Sequence, residues 1–255
     1  MAIVTLTSDF GTTDYYAAII KGAILAEDAT LNIIDITHNI KNYDIVQGAF
    51  VLKNAYYHFP KGTIHLLSVN NFYSKQNSFL VLRYDGHYFI GPDNGIFSLM
   101  FEDVSEDIYE LDYPQKTAFP LKHLYANAVG HLIGDKPFNE IGFPVESITQ
   151  RITLQPVISQ NMIRGSIIHI DKYENAVTNI SRELFDRVHQ GRDFSLYFKR
   201  HEPLTKLSWH YYDVPVGENL CLFNSANYLE ISINMGKASS LLGLKVDDTI
   251  QIDFE

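Results

Sequence analysis

The first seventy residues carry one pattern twice: a short β-branched or apolar run, a tight polar loop, then a helical stretch. Ile3 to Leu6 reads as a strand that breaks at Ser8-Asp9-Phe10-Gly11, and Asp14 precedes the helical run YYAAIIKGAILA. Leu31 to Thr37 reads as a second, buried strand, followed by a helix from about Asp44 to His58 with apolar residues at helical spacing. Pro60-Lys61-Gly62 stops that helix, and Thr63 to Val69 forms a third strand. A β-α-β-α-β order implies a parallel sheet with right-handed crossovers. In such sheets ligands bind at the carboxyl ends of the strands, where Asp9 and Asn70 fall. A carboxylate there can accept both hydroxyls of a ribose. Asp9 in a local turn and Asp14 capping the helix is the plainer reading of the same residues.

Further on, Asp85-Gly86 is a hairpin signal between strands Phe79–Tyr84 and His87–Ile90. GPDNG, residues 91–95, reads as a tight turn rather than a strand, and a last helix of this half runs from about Leu121 to Ile133, ended by Gly134. From Gly165 the pattern changes to short strands with two helices, near 181–188 and 238–242, which reads as a small barrel or sandwich. These patterns divide the chain into an N-terminal α/β domain, residues 1–135, a linker, 136–164, and a C-terminal β domain, 165–255.

The net charge of −10 argues against a nucleic-acid or anionic membrane partner. Cys221 is the one cysteine, so an intrachain disulfide and a cysteine metal cluster are excluded. No signal peptide is visible, and no run approaches the ~20 apolar residues of a membrane span. The expectation is an intracellular, cytoplasmic protein.

Seven motifs then combine in order: SDFGTTDYYAAIIKG, HNIKNYDIVQGA, GPDNGIFS, AVGHLIGD, IDKYENAVTNI, YYDVPVGE and FNSANYLEISINMGKASSLLGL. Together they resemble the S-adenosylmethionine hydroxide adenosyltransferase family, whose relatives include fluorinases and chlorinases. The resemblance implies a Rossmann-like parallel-sheet domain followed by a smaller C-terminal β-barrel, in a homotrimer with active sites at subunit interfaces. It implies displacement of methionine from C5′ of S-adenosylmethionine by water, giving adenosine and methionine with no metal and no cofactor.

Carried over by position, Asp9 matches the residue binding the ribose diol. Tyr43 matches an aromatic near ribose and sulfonium, where a ring face attracts a cation; a core tyrosine at a helix start is its other reading. Asp171, Tyr173 and Asn175 match the segment holding the methionine ammonium and ribose, with Glu174 where the family has glycine. Tyr211 matches the ring stacked on adenine. Ser225 matches a methionine-carboxylate contact, followed by Ala226 where fluorinases have arginine. Glu230 is a partner for the ammonium, and Asn234 with Met235 matches the reader of the adenine edge. For Ser225, Glu230 and Asn234 the alternative is outward-facing polar residues of ordinary strands.

The departure lies in an Asp-Arg-His set that resembles the water-activating group of water-using members. Its first two positions are Asn70 and Asn77 here, and His131 retains the third, as either a catalytic or a core histidine. Losing Asp and Arg together avoids stranding a buried charge, which costs roughly 3–5 kcal/mol. Asn70 and Asn77 can still orient a water, and Lys75 is a stand-in cation if the loop shifts. Leu121, beside Phe119-Pro120, would fill a halide pocket. Two functions stay open: a hydrolase, or a catalytically silent protein that binds S-adenosylmethionine or adenosine.

Overall fold

Ile3–Ser8 (β1) lies inside a seven-stranded sheet because its β-branched and apolar side chains are covered on both faces. A computed structural model describes residues 2–72, 77–102, 107–112, 117–134 and 136–255. The chain divides into two compact units, up to Thr153 and from Leu154 onward.

In the first unit, Tyr16–Glu27 (α1) links β1 to Asn32–Thr37 (β2). Ile45–Lys53 (α2) leads to Ile64–Ser68 (β3). Phe79–Tyr84 (β4) and His87–Pro92 (β5) form the hairpin, then come Ile96–Met100 (α3), Ile108–Glu110 (β6), Leu121–Ile133 (α4) and Phe143–Pro144 (β7). The spatial order is β2-β1-β3-β5-β4-β6-β7. The first four strands in that order are parallel, and β4, β6 and β7 pair antiparallel. The sheet is therefore mixed, not wholly parallel: β5 inserts beside β3, and its hairpin partner must run the other way.

Four local expectations are corrected. β2 ends the sheet, with one neighbour, so its side chains are half-covered rather than buried. The second helix stops at Lys53, and only a short 3-10 turn follows at Tyr56–His58. Gly91 and Pro92 belong to β5; the turn starts at Asp93. No side chain caps α1, and Asp14 stands exposed two residues before it.

The core packs on both faces. Val4 and Leu6 meet α1 and α4 through Ile20, Ile24, Leu124 and Tyr125, while Leu67 and Phe89 meet α2 and α3 through Leu52 and Phe97. The Tyr125 hydroxyl donates to the Leu67 carbonyl at 2.6 Å, satisfying its one buried polar atom.

The second unit comprises Val157–Ser159 (β8), Met162–Ile170 (β9), Ala176–Ser181 (β10), Arg182–His189 (α5), Phe194–Phe198 (β11), Asn219–Phe223 (β12), Tyr228–Ile233 (β13), Ala238–Leu242 (α6) and Thr249–Phe254 (β14). Its strands run β11-β14-β9-β10-β13-β12, all antiparallel, with β8 on β9. The first half of β9 pairs β14 and the second half pairs β10, so the sheet curls at Gly165–Ile167 into a half-barrel around Phe185, Ile231 and Ile252. Among the described residues no helix is long and apolar enough to cross a membrane.

Candidate functional site

Three strand ends of the first unit converge on Asp9. Its Oδ2 accepts the backbone N–H of Tyr43 at 3.0 Å and of Asn70 at 3.2 Å. Oδ1 accepts no hydrogen bond among the described residues. Both donors sit in the left-handed region, Tyr43 at φ 68 and Asn70 at φ 52. Non-glycine residues there are strained, and such strain concentrates at ligand sites. The carboxylate bonds residues 34 and 61 positions away, so a local turn is not its role.

The loops that supply those amides are themselves held. Asn94, buried after β5, donates through Nδ2 to the carbonyls of Val69 at 2.9 Å and Asn70 at 3.2 Å. Asn42 Nδ2 donates to the Asp9 carbonyl at 3.3 Å. Tyr43 itself is 72% exposed, not a core tyrosine. Beside Asp9, Phe10, Tyr16 and Phe119 form a ring cluster with centroids 5.6 to 6.3 Å apart.

Asn77 lies just before β4, at the same sheet edge, since Phe79 pairs with Pro92 at the end of β5. Lys75 lies outside the described residues. Leu121, the first residue of α4, is fully buried.

His131 is not brought to that edge. The start of α4 lies by Phe10 through Phe119, whereas Gly130 abuts Glu27, the last residue of α1. Eleven residues of helix from Pro120 span about 16 Å. His131 Nε2 bonds the Pro137 carbonyl at 2.8 Å, and the adjoining Phe138 packs on Tyr88 near the start of β5. This histidine ties the helix end to the following loop at the opposite edge of the sheet.

The second unit carries a separate polar cluster. Glu230, on β13, is only 3% exposed. Its Oε1 accepts from the Tyr211 hydroxyl at 2.9 Å and Ser232 Oγ at 2.7 Å, and Oε2 accepts from Asn224 Nδ2 at 3.2 Å. Among the described residues no cation reaches it. Burial pushes the Tyr211 phenol above its usual range, and the Glu230 carboxylate adds to this. Three neutral donors thus satisfy both oxygens of this buried carboxylate. We expect Glu230→Gln to destabilise this unit by about 1–3 kcal/mol, because the amide nitrogen must face a donor; a denaturation midpoint equal to wild type would contradict that.

Asp171 serves its own loop. Oδ1 accepts the N–H of Tyr173 at 2.9 Å and of Asn175 at 2.8 Å, and Oδ2 accepts from Asn175 Nδ2 at 3.1 Å. Tyr173 is exposed and Asn175 buried. Glu174, which stands where the resembled family has glycine, keeps a left-handed backbone, φ 67. Its carboxylate pairs with Lys237 at 2.8 Å and accepts from the Ser240 hydroxyl and N–H, which fastens the loop to α6.

Ser225 is exposed at the β12–β13 turn, which Asn224 organises by accepting the N–H of Ala226 and Tyr228. Asn234 is buried and donates to the Val214 carbonyl at 2.7 Å, whereas Met235 is exposed at φ 56. Glu230 and Asn234 thus face inward; Ser225 is exposed, on a turn rather than on a strand.

Sequence reasoning missed Asn94, Asn224 and the Ser8–His38 pair. Each is a polar residue at or within two positions of a strand end, which was the available signal.

With this geometry in hand, the comparisons are specific. Models of the SAM hydroxide adenosyltransferase N-terminal and C-terminal domains match residues 4–142 and 165–251. The chain is 30% identical to the (R)-S-adenosyl-L-methionine hydrolase of Methanocaldococcus jannaschii, over 98% of this chain and 95% of that one. It is 28% identical to the enzyme of the same name from Thermus thermophilus, over 96% and 97%. A solved structure of an uncharacterized conserved protein from Thermotoga maritima superposes with a TM-score of 0.86 at 26% identity, covering 99% of this chain and all of that one. The strand-end cradle around Asp9 and the matching of both domain models lead to one conclusion: the chain belongs to the S-adenosylmethionine hydroxide adenosyltransferase family.

Proposed function

We propose that this protein hydrolyses S-adenosylmethionine to adenosine and methionine. The reading draws on relatives named (R)-S-adenosyl-L-methionine hydrolase. The observation that carries it to these residues is the Asp9 carboxylate, held by two amides through Oδ2 with Oδ1 available to a ribose hydroxyl.

In the reaction, a water oxygen attacks C5′ as the C5′–S bond breaks. The bonding pair passes to sulfur, which leaves as the neutral thioether of methionine, and the water loses a proton to solvent. A sulfonium needs no acid to leave, so the protein's task is to hold the ribose, exclude bulk water and align one nucleophile. We assign the ribose diol to Asp9 and the sulfonium side to the Tyr43 ring. The adenine goes to Tyr211, Asn234 and Met235, and the methionine end to Glu230, Ser225 and the Asp171–Asn175 loop. Asn70 and Asn77 orient the water as neutral amides; His131 has no step. The assembly is a homotrimer of Rossmann-like and barrel domains, with sites completed across subunits, and its place is the cytoplasm.

The test is incubation of pure protein with S-adenosylmethionine, following adenosine and methionine by chromatography. Stoichiometric formation of both, above the buffer rate, is expected. Binding without turnover would instead identify a silent binding protein and reject hydrolysis.

A further inference from the structure

Beneath Asp9 lies a chain of polar side chains that the proposed reaction does not use. Ser8 Oγ and His38 Nδ1 are 2.6 Å apart, both buried. His38 Nε2 lies 3.0 Å from Asp35 Oδ1, within ion-pair range though off the line of a straight hydrogen bond. Asp35 Oδ2 in turn accepts from Lys21 Nζ at 2.6 Å. Partial burial favours the neutral acid of Asp35, yet Lys21 and His38 hold its carboxyl below the usual range.

The protons on this chain can be placed from its partners. The Phe10 N–H points at Ser8 Oγ at 3.4 Å, so that oxygen already faces a donor. Its own hydrogen is then directed to His38 Nδ1, leaving Nε2–H toward Asp35. His38 also acts through its backbone. Its carbonyl accepts the N–H of Gly11 at 2.7 Å, where φ is +73, and the Ile40 N–H reaches the Ser8 carbonyl at 3.3 Å. The β1–β2 register shifts between Leu6 and Thr7, just before this contact, and such irregularities re-aim side chains. One residue thus holds the chain before and after Asp9: the His38 imidazole holds the Ser8 side chain, and the His38 backbone carbonyl holds Gly11.

We propose that His38, through Ser8, is a positioning residue that sets the Asp9 carboxylate for a ribose diol. This rests on the nucleoside reading above. His38 and Ser8 are sealed from solvent, so their effect passes through Asp9. It follows that their loss weakens only those ligands that carry the diol.

The test is calorimetry with adenosine and with 2′,3′-dideoxyadenosine, on wild type, His38→Leu, His38→Asn, Ser8→Ala and Asp9→Asn. Wild type should prefer adenosine. His38→Leu and Ser8→Ala should weaken adenosine about ten- to a hundredfold while changing the dideoxy affinity less than about threefold. His38→Asn keeps an acceptor near the Nδ1 position and should recover much of the preference. In the Asp9→Asn background, His38→Leu should add little, as expected for residues acting as one unit.

Equal weakening of both nucleosides, or an undiminished preference in folded Ser8→Ala and His38→Leu, would overturn the proposal while leaving the nucleoside reading intact. A wild-type protein that binds neither nucleoside would remove that reading and the proposal together.

Discussion

Asp9→Ala should lower the affinity for adenosine or S-adenosylmethionine about a hundredfold or more. Each hydrogen bond to a carboxylate contributes about 1.5–3 kcal/mol, and a ribose diol offers two. The substitution has a second effect. The N–H groups of Tyr43 and Asn70 lose their acceptor, and both residues hold left-handed backbones at a cost of order 1 kcal/mol each. Without the carboxylate those loops relax, and the melting temperature should fall by a few degrees. Asn70→Gly in the wild-type background is the useful contrast, because glycine adopts φ 52 freely and retains the N–H. It should preserve binding and raise stability slightly. Calorimetry and thermal melts read both results; an Asp9→Ala affinity within threefold of wild type would contradict the site.

Acidification should destabilise the protein well above the range in which carboxylates titrate. Thr5 Oγ1, His65 and His87 form a buried chain, with Thr5 Oγ1 to His65 Nδ1 at 2.7 Å and His65 Nε2 to His87 Nδ1 at 3.1 Å. Phe89, Tyr56 and Phe59 enclose the imidazoles, and His87 Nε2 has no partner among the described residues. Burial, reinforced by His87, pushes the His65 imidazole down to about 3. Burial and the nearby Lys61 also lower His87.

The folded value thus lies below the unfolded one, and the unfolded chain binds the extra proton. Stability is full above about pH 6.5 and falls on acidification toward pH 3, by about 1.4 kcal/mol per pH unit for His65. Between pH 6.5 and 4.5 the loss from His65 alone is about 2–3 kcal/mol. Urea denaturation at several pH values measures it. Thr5→Val with His65→Leu and His87→Phe replaces the chain by apolar groups and should flatten that part of the curve. An equal slope in wild type and the triple variant would contradict the assignment.

The sequence made visible what depends on local period and turn chemistry. Leu121–Ile133 and Ala238–Leu242 form the helices expected, and Asp85-Gly86 makes the hairpin turn. What it could not show is which strand lies beside which. LNIIDIT looks like a buried strand by composition, yet β2 has one neighbour because the sheet ends there. The hairpin was legible, but not that β5 rather than β4 would join β3 and turn the sheet mixed.

The site shows the same division. Residues at strand ends could be anticipated, because the edge of an open sheet collects ligand contacts. His131 could not be judged from its motif, since only the direction of α4 reveals that the helix carries it away from Asp9. The burial of Glu230 was hidden too: an alternating strand shows which residues share a face, not which face the 3-10 turn at Tyr211–Asp213 will cover.

The most direct measurement is a crystal structure of the protein with adenosine bound. Both ribose hydroxyls should lie within hydrogen-bond distance of the Asp9 carboxylate, whose Oδ2 keeps its two backbone partners. A ribose lodged elsewhere, with Asp9 bonded only to its own chain, would contradict that.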